Sequence, residues 1–115
     1  MENIQGFWEY LDRLVTGTRI VIGRPKGSAH PRYPTVVYPV DYGYLEITSA
    51  IDGGGIDVWI GSTGADRPDA ILCTVDLLKR DAEIKLLIGC SEDEKEAILR
   101  FLNADSMRAL LIRRP

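Results

Sequence analysis

Apolar residues recur at helical spacing in two segments, one near each end of the chain. From residue 2 to residue 15, polar residues separate apolar positions three or four apart, which is the pattern of an amphipathic helix. Near the other end, Ser91 followed by Glu94 forms a capping-box pattern that opens a helix running to about Leu102. The sequence therefore predicts two helices that flank a region of different periodicity.

Between these helices, apolar residues occur in short runs or alternate with polar ones, as in β-strands. We predict strands over residues 19–22, 35–38, 42–48, 57–60, 70–78 and 83–88, and a last strand over residues 107–112. Segments rich in glycine and proline separate several of them. Many short strands with two helices predict a mainly β (α+β) fold, namely a small closed β-barrel with flanking helices.

Length and charge narrow the class of protein. At 115 residues, we expect a single domain over residues 1–115 with one sizeable core. The net charge of −3 provides no overall positive field, which argues against a nucleic-acid partner. We see neither a basic leader nor an apolar run of membrane-spanning length, and Cys73 and Cys90 are isolated. We therefore expect a soluble, cytoplasmic protein with no membrane partner.

The densest polar chemistry lies between residues 38 and 59. In an extended chain, evenly spaced tyrosines share one face and can donate hydrogen bonds to a polar ligand, as is predicted here for Tyr38, Tyr42 and Tyr44. Asp52 and Asp57 bracket three glycines, and two carboxylates brought together by a turn favour a cation such as Mg²⁺ between them. The alternative is an ordinary strand, turn and strand, with packed tyrosines and solvated aspartates.

A basic loop precedes this segment. Residues 23–34 include three prolines and two glycines, which rule out regular structure, and they carry Arg24, Lys26 and Arg32. Guanidinium and ammonium groups pair strongly with phosphate oxygens, so the loop predicts an anion site unless it is merely solvated. His30, the single histidine, lies in the same loop, and we expect it to be structural.

Together these residues resemble a known family. The run Tyr38-Pro39-Val40-Asp41-Tyr42-Gly43-Tyr44, followed by Asp52-Gly53 and Asp57-Val58, looks like the core of the soluble family I inorganic pyrophosphatases. The similarity extends from about Ile20 to Ile88. It implies an OB-like barrel that hydrolyses inorganic pyrophosphate to two phosphates with Mg²⁺ and a metal-activated water.

The resemblance also implies roles for individual residues. The implied metal ligands are Asp52, Asp57, Asp81 and Glu83, and the implied substrate-binding residues are Lys26, Arg32, Tyr38, Tyr42 and Lys85. The middle aspartate of the family's metal triplet, its candidate general base, falls on Gly54 here, and the following proline falls on Gly55. The expected catalytic residues are therefore Asp57, Tyr42 and Asp41, with Asp41 as a substitute base because it adjoins Tyr42.

The glycine at position 54 leaves a second reading open. The barrel could be a catalytically weakened relative that binds a phosphorylated metabolite or nucleotide. A third reading, an OB-type barrel that stacks single-stranded nucleic acid on its aromatic residues, is disfavoured by the acidic balance. The first helix could serve a homo-oligomer interface as well as the core.

Overall fold

A computed structural model describes residues 1–50 and 53–115. The described chain forms two helices and six strands, in this order: α1 (Ile4–Val15), β1 (Ile20–Arg24), β2 (Asp41–Leu45), β3 (Asp57–Ile60), β4 (Pro68–Asp76), β5 (Asp81–Ile88), α2 (Glu92–Leu102) and β6 (Met107–Arg113). Both predicted helices are present, and β3 has the predicted bounds. The fold is therefore mainly β with two helices, as expected.

The six strands form one sheet in the order β1-β2-β3-β5-β4-β6. Strand β2 pairs antiparallel with β1 and β3, and β4 pairs antiparallel with β5 and β6. These two three-stranded units meet where β3 pairs in parallel with β5, with Val58 opposite Leu86 and Ile60 opposite Ile88. We refer to the β3–β5 pairing as the seam.

The sheet of the described residues is open. Strands β1 and β6 are its two edges, whereas a closed barrel requires the first and last strands of the sheet to pair. The predicted closed barrel is therefore not confirmed.

Each face of the sheet carries its own apolar cluster. On one face, α1 packs Trp8, Leu11 and Val15 against residues that include Val58 and Leu86. On the other face, α2 packs Ile98 and Leu102 against a cluster that includes Trp59, Leu72 and Leu87. Because successive strand residues point to opposite faces, neighbours such as Leu86 and Leu87 belong to different clusters. Burying one such side chain contributes about 1.5–3 kcal/mol.

Local capping fixes where the helices begin. At α2, the Ser91 hydroxyl accepts a hydrogen bond from the Glu94 amide at 3.2 Å, and the Glu94 carboxylate accepts one from the Ser91 amide at 2.8 Å. The predicted capping box is thus confirmed. At α1, the Asn3 side chain accepts a hydrogen bond from the Gly6 amide, so the helix starts after Asn3 rather than at residue 2.

Two strand predictions need correction. Residues 35–38 form no strand; Val37 makes one isolated bridge with Ala29, and prolines at 34 and 39 remove backbone donors on either side. The strand predicted over residues 42–48 ends at Leu45, because Ile47 has a φ of 55°, which an extended chain cannot continue through. The loop before β2 and the turn after it are consequently longer than the pattern suggested.

The carboxyl end of the chain is fastened to α1. Arg114 donates two hydrogen bonds of 2.7 Å to the Asp12 carboxylate and a third to the Pro68 carbonyl. Such a bidentate pair holds the Asp12 pKa below its usual range, and the Arg114 hydrogen bond is the main cause. Among the described helices, none has the length and apolar character needed to cross a membrane.

Gly43 in β2 should tolerate no side chain, because a Cβ there would overlap the backbone carbonyl of Val21 in β1. We expect Gly43→Ala to lower the free energy of unfolding by about 1–3 kcal/mol, measured by urea denaturation. Gly23→Ala is the matched control, since a Cβ at Gly23 meets nothing within 4 Å. Equal losses in the two variants would contradict the close approach of β1 and β2.

Candidate functional site

A cleft of about 500 Å³ opens beside α2, on the sheet face that carries Trp59 and Leu87. It is bordered by the end of β1, by β2, β3 and β5, and by the loop between β1 and β2. Its walls combine basic, acidic and aromatic side chains, namely Arg24, His30, Tyr38, Tyr42, Tyr44, Asp57, Lys79, Asp81, Glu83, Lys85 and Phe101. The three tyrosines thus line one cavity, as their spacing predicted.

A buried ammonium group lies at the centre of this cleft. Lys85 on β5 places its Nζ 2.6 Å from Oδ2 of Asp57 on β3 and 3.3 Å from Oε2 of Glu83. The Lys85 and Glu83 side chains are only 7% and 8% exposed, so the ion pairs form largely out of water. The bond between Lys85 and Asp57 crosses the seam, and it joins the two three-stranded units at the site.

The neighbours of Lys85 determine its charge. Burial by itself would lower the Lys85 pKa, but interactions with Tyr42, Asp57 and Glu83 outweigh it, and the pKa is raised. Burial raises the Tyr42 pKa as well, and the nearby Asp57 carboxylate adds to that effect. The Tyr42 hydroxyl lies 3.4 Å from Lys85 Nζ. At neutral pH the site therefore holds a cation beside a neutral phenol, and neither group serves as a base.

Aromatic rings stack along one wall of the cleft. The buried Tyr38 ring stacks on Tyr42 at 5.6 Å between centroids and on His30 at 6.2 Å. Arg24, the last residue of β1, donates a hydrogen bond to the Tyr38 hydroxyl, and its guanidinium also lies over the Tyr38 ring. This packing leaves the rings little freedom and holds Arg24 at the cleft.

The structure brings together six of the predicted site residues: Tyr38, Tyr42, Asp57, Asp81, Glu83 and Lys85. Lys26, Arg32 and Asp41 are not among the described residues that line the cleft. The Lys26 amide donates to Asp41 Oδ1 at 2.8 Å, so Asp41 anchors the basic loop. Lys26 and Arg32 are exposed. Asp52, a predicted metal ligand, lies outside the described residues.

Sequence reasoning did not assign a role in the site to three residues that line it, Arg24, His30 and Lys79. The basic loop drew attention to Arg24, but a β-bulge between Ile22 and Arg24 is what places Arg24 opposite Tyr42 on the cleft side, and no period-2 pattern in the sequence reveals that shift. Lys79 follows Asp76 in the β4–β5 turn, where the Asp76 carboxylate accepts its amide. For His30, the available sign was its position two and three residues before backbone amides, at 32 and 33, that its ring nitrogen can accept.

The carboxylates suit a hard cation bound together with an anionic ligand. Glu83 Oε1 is buried and has no hydrogen-bond partner among the residues that the structure describes, and Asp81 lines the same cleft. Within the described residues, no group of three His, Cys, Asp or Glu side chains is arranged to hold a metal. Mg²⁺ usually needs only one or two carboxylates, with water and phosphate oxygens as its other ligands. The residues therefore fit a magnesium ion that enters with substrate, rather than a metal cage.

The glycines at 54 and 55 have different local settings. At Gly55, a Cβ would lie 2.5 Å from the Leu45 carbonyl and 2.7 Å from the Tyr44 ring, so packing against β2 leaves no space for a side chain. The Gly54 carbonyl accepts a hydrogen bond from the Ala50 amide. Position 54 thus contributes backbone, not a carboxylate, to the turn before β3.

Comparison with solved structures identifies this architecture. The chain has the fold of the bacterial inorganic pyrophosphatases. An inorganic pyrophosphatase from Neisseria gonorrhoeae superimposes with a TM-score of 0.68 over 85% of this chain and 83% of that one, at 16% identity. The enzymes from Helicobacter pylori and Coxiella burnetii align at TM-scores of 0.60 and 0.58, also at 16% identity; each alignment covers 82% of this chain, with 81% and 82% of the respective enzyme. No protein-family model and no curated protein sequence matches the chain.

The pyrophosphatase resemblance is therefore confirmed for the fold. Tyr38 and Tyr42, on which that resemblance rested, lie together in the cleft beside Asp57. At 16% identity, the comparison shows the fold alone, and the chemistry of the site depends on the residues of this chain.

Removing the central cation should destabilise the protein. In Lys85→Met, the carboxylates of Asp57 and Glu83 lose their counter-ion, and breaking a buried pair in this way costs about 3–5 kcal/mol. Without Lys85, the two carboxylates lie close to each other in a buried site with no counter-ion, and this repulsion makes the deficit greatest at neutral pH. We expect the stability difference from wild type to shrink as the pH falls toward about 4.

This expectation is checked by urea unfolding at a series of pH values. Lys79→Met, which removes an exposed lysine from the same cleft, is the matched control and should change stability little at any pH. A constant deficit for Lys85→Met across the series would contradict the buried-charge explanation.

Proposed function

We propose that the chain binds inorganic pyrophosphate in this cleft and hydrolyses it to two phosphates with Mg²⁺. The observation that carries the proposal is the buried cluster of Lys85, Asp57 and Glu83 beside Tyr42, open to a cleft in a pyrophosphatase fold. A tetra-anionic substrate needs concentrated positive charge, and hydrolysis also needs oxygen ligands for a metal. The cleft offers both within one cavity.

The basic and phenolic groups would bind and orient the substrate. Lys85 keeps its positive charge, and Tyr42 keeps its hydroxyl proton, so both can donate hydrogen bonds to phosphate oxygens. Arg24 lines the same cleft and supplies a second fixed cation. Donors held in place before reaction stabilise charge that builds on the transferring phosphoryl group without reorganising. Lys26 and Arg32 would act from the rim of the loop, as exposed cations that attract the anion.

Three carboxylates would hold the metal: Asp57, Asp81 and Glu83, with Asp52 as the fourth predicted ligand. When bound, Mg²⁺ lowers the pKa of a water molecule and neutralises charge on the phosphate oxygens. Glu83 contributes a buried oxygen that accepts from no donor in residues 1–50 or 53–115, and Asp57 would hold Lys85 next to the substrate position. Asp57 therefore has two roles in binding, because it can ligate the metal and it orients the ammonium group of Lys85.

The attacking water would need a general base to accept its proton. Position 54 has no side chain to accept a proton, and the candidate advanced from the sequence is Asp41. Its Oδ1 already accepts the Lys26 amide, which ties Asp41 to the basic loop. The base role of Asp41 stays a prediction from the sequence, whereas the contact with Lys26 favours an anchoring role, and substitution of Asp41 distinguishes the two.

A second candidate function follows from the same cluster. Arg24, Lys79 and Lys85 together balance the charge of Asp57, Asp81 and Glu83 in the cleft, and Gly54 adds no further carboxylate, so the site can hold an anion with little need of metal. These features favour a pyrophosphatase-like protein that binds a phosphorylated metabolite or nucleotide without rapid turnover. The two candidates differ in turnover, not in the ligand chemistry of the cleft.

We propose the cytoplasm as the setting of either function. Cys73 and Cys90 are both free thiols, as a reducing compartment maintains them. Burial raises the Cys90 pKa to about 12, so this thiol stays protonated and unreactive.

The first experiment measures phosphate release from pyrophosphate by the purified protein, with and without Mg²⁺. We expect turnover that requires Mg²⁺ and that falls by about 10²-fold or more in Asp57→Asn, since this change removes a ligand charge and the partner of Lys85. Asp66→Asn, at an exposed position outside the cleft lining, is the matched control and should retain wild-type turnover. Tight binding of pyrophosphate without turnover would instead support the second candidate.

The second experiment separates two roles of Asp41. In Asp41→Asn, the amide oxygen can still accept the Lys26 N–H, but the side chain can no longer take a proton from water. Because Asp41 is engaged in anchoring the loop, we expect this variant to keep most of its phosphate release, whereas Asp41→Ala should lose more. A loss of about 10²–10⁴-fold in Asp41→Asn would assign the base to Asp41 after all.

A further inference from the structure

The imidazole of His30 is held in one orientation by its own loop. Its Nδ1 accepts hydrogen bonds from the backbone amides of Arg32, at 3.0 Å, and Tyr33, at 3.3 Å. A ring nitrogen that accepts two N–H groups carries no proton, so the neutral ring has its proton on Nε2. Nε2 is therefore a hydrogen-bond donor.

Stacking fixes the plane of the same ring. His30 lies nearly parallel to Tyr38, with 8° between the planes, and it also contacts the Tyr33 ring at 5.2 Å. The His30 amide is bonded to the Val36 carbonyl at 2.8 Å, which holds the backbone. The two ring contacts and the backbone hydrogen bond restrain His30, which lines the cleft, so its Nε2 donor is held in position before a ligand binds.

The donor on Nε2 is uncommitted, unlike the ammonium of Lys85 and one guanidinium nitrogen of Arg24. Lys85 is bonded to Asp57 and Glu83, and Arg24 is bonded to the Tyr38 hydroxyl. By contrast, Nε2 of His30 meets no hydrogen-bond acceptor within the described part of the chain, although the residue lines the same cavity. An uncommitted N–H held in a cleft that also carries Arg24 and Lys85 is suited to an anionic oxygen.

We propose that His30 is a substrate-binding residue, which donates its Nε2–H to a phosphate oxygen of the ligand in the cleft. This inference rests on the proposed function in that the ligand is a phosphate compound, but it does not require that the ligand be hydrolysed. The bond is charge-assisted, because the acceptor carries negative charge. The Tyr38 ring then has a positioning role, since it supports the imidazole from one face.

The test uses two substitutions that each keep one half of the imidazole chemistry. The side chain of His30→Asn can still accept the amides of Arg32 and Tyr33 through its oxygen, but it is too short to place a donor where Nε2 lies. The longer His30→Gln side chain can place an NH₂ group near that point, but it loses the local acceptor. The probe is methylenediphosphonate, a pyrophosphate analogue with a P–C–P link that water cannot cleave, titrated calorimetrically in the presence of Mg²⁺.

We expect His30→Asn to bind the probe about 10- to 100-fold more weakly than wild type, the effect of one lost hydrogen bond to a charged group, and to unfold at nearly the same urea concentration. His30→Gln should bind the probe more tightly than His30→Asn but unfold at lower urea. A purely structural His30 would give the opposite order. Wild-type affinity in His30→Asn, or no binding of the probe to the wild type, would overturn the proposal.

Nitrogen NMR gives an independent readout, because one histidine in the chain yields one set of imidazole signals. Protein labelled with ¹⁵N-histidine should show the proton on Nε2, and the Nε2 signal should move when the diphosphonate is added. A proton on Nδ1, or an Nε2 signal that does not move at saturating probe, would overturn the proposal. Phosphate release by the wild type, measured in parallel, tests the proposed hydrolysis separately: binding through His30 without turnover leaves this inference standing and removes that one.

Discussion

The ammonium group of Lys85 is the feature on which both the fold and the site depend. A lysine this deeply buried is tolerated only when charged partners replace the water it has lost, and Asp57 and Glu83 supply them at 2.6 and 3.3 Å. One partner lies on the neighbouring strand across the seam, so the same bond that solvates the charge also holds β3 against β5. The cation is consequently set in a rigid part of the sheet and not on a loop.

This arrangement reconciles an acidic protein with an anion-binding site. The chain has a net charge of −3, yet Arg24, Lys79 and Lys85 line the same cleft as the tyrosines. Acidic side chains in the cleft hold the central lysine and leave a buried oxygen on Glu83 for a cation. In the proposed function, these closely spaced opposite charges would let the cleft take a phosphate anion together with a magnesium ion.

Local patterns predicted the parts of the fold that local interactions determine. The capping box at Ser91, the two amphipathic helices and the strand over residues 57–60 follow from neighbours a few residues apart, and all were found. The strand over residues 35–38 was wrong because its apolar residues lie between prolines, in a segment that closes on itself through the bridge from Val37 to Ala29. The open edges of the sheet and the parallel seam depend on pairings that no periodicity records.

The candidate site shows the same division. Tyr38 and Tyr42 do line one cleft, but Tyr38 precedes β2, so the shared strand face that their spacing predicted is not what brings them together. Lys26 and Arg32 were chosen for their charged side chains, but the structure uses their backbone amides, which bond Asp41 and His30. An acceptor side chain two residues before a backbone N–H is a local turn device of the kind made by Asn and Asp, and this pattern was the available sign that His30 is held in place.

The seam has a consequence for how the protein acquires its site during folding. Tyr42 and Asp57 belong to the first three-stranded unit, and Glu83 and Lys85 belong to the second, with Asp57 and Lys85 separated by 28 positions in sequence. Each unit contains an antiparallel pair of successive strands that can form from nearby segments. Neither unit alone contains both Asp57 and Lys85, so the cleft acquires its central ion pair only at the step that pairs β3 with β5.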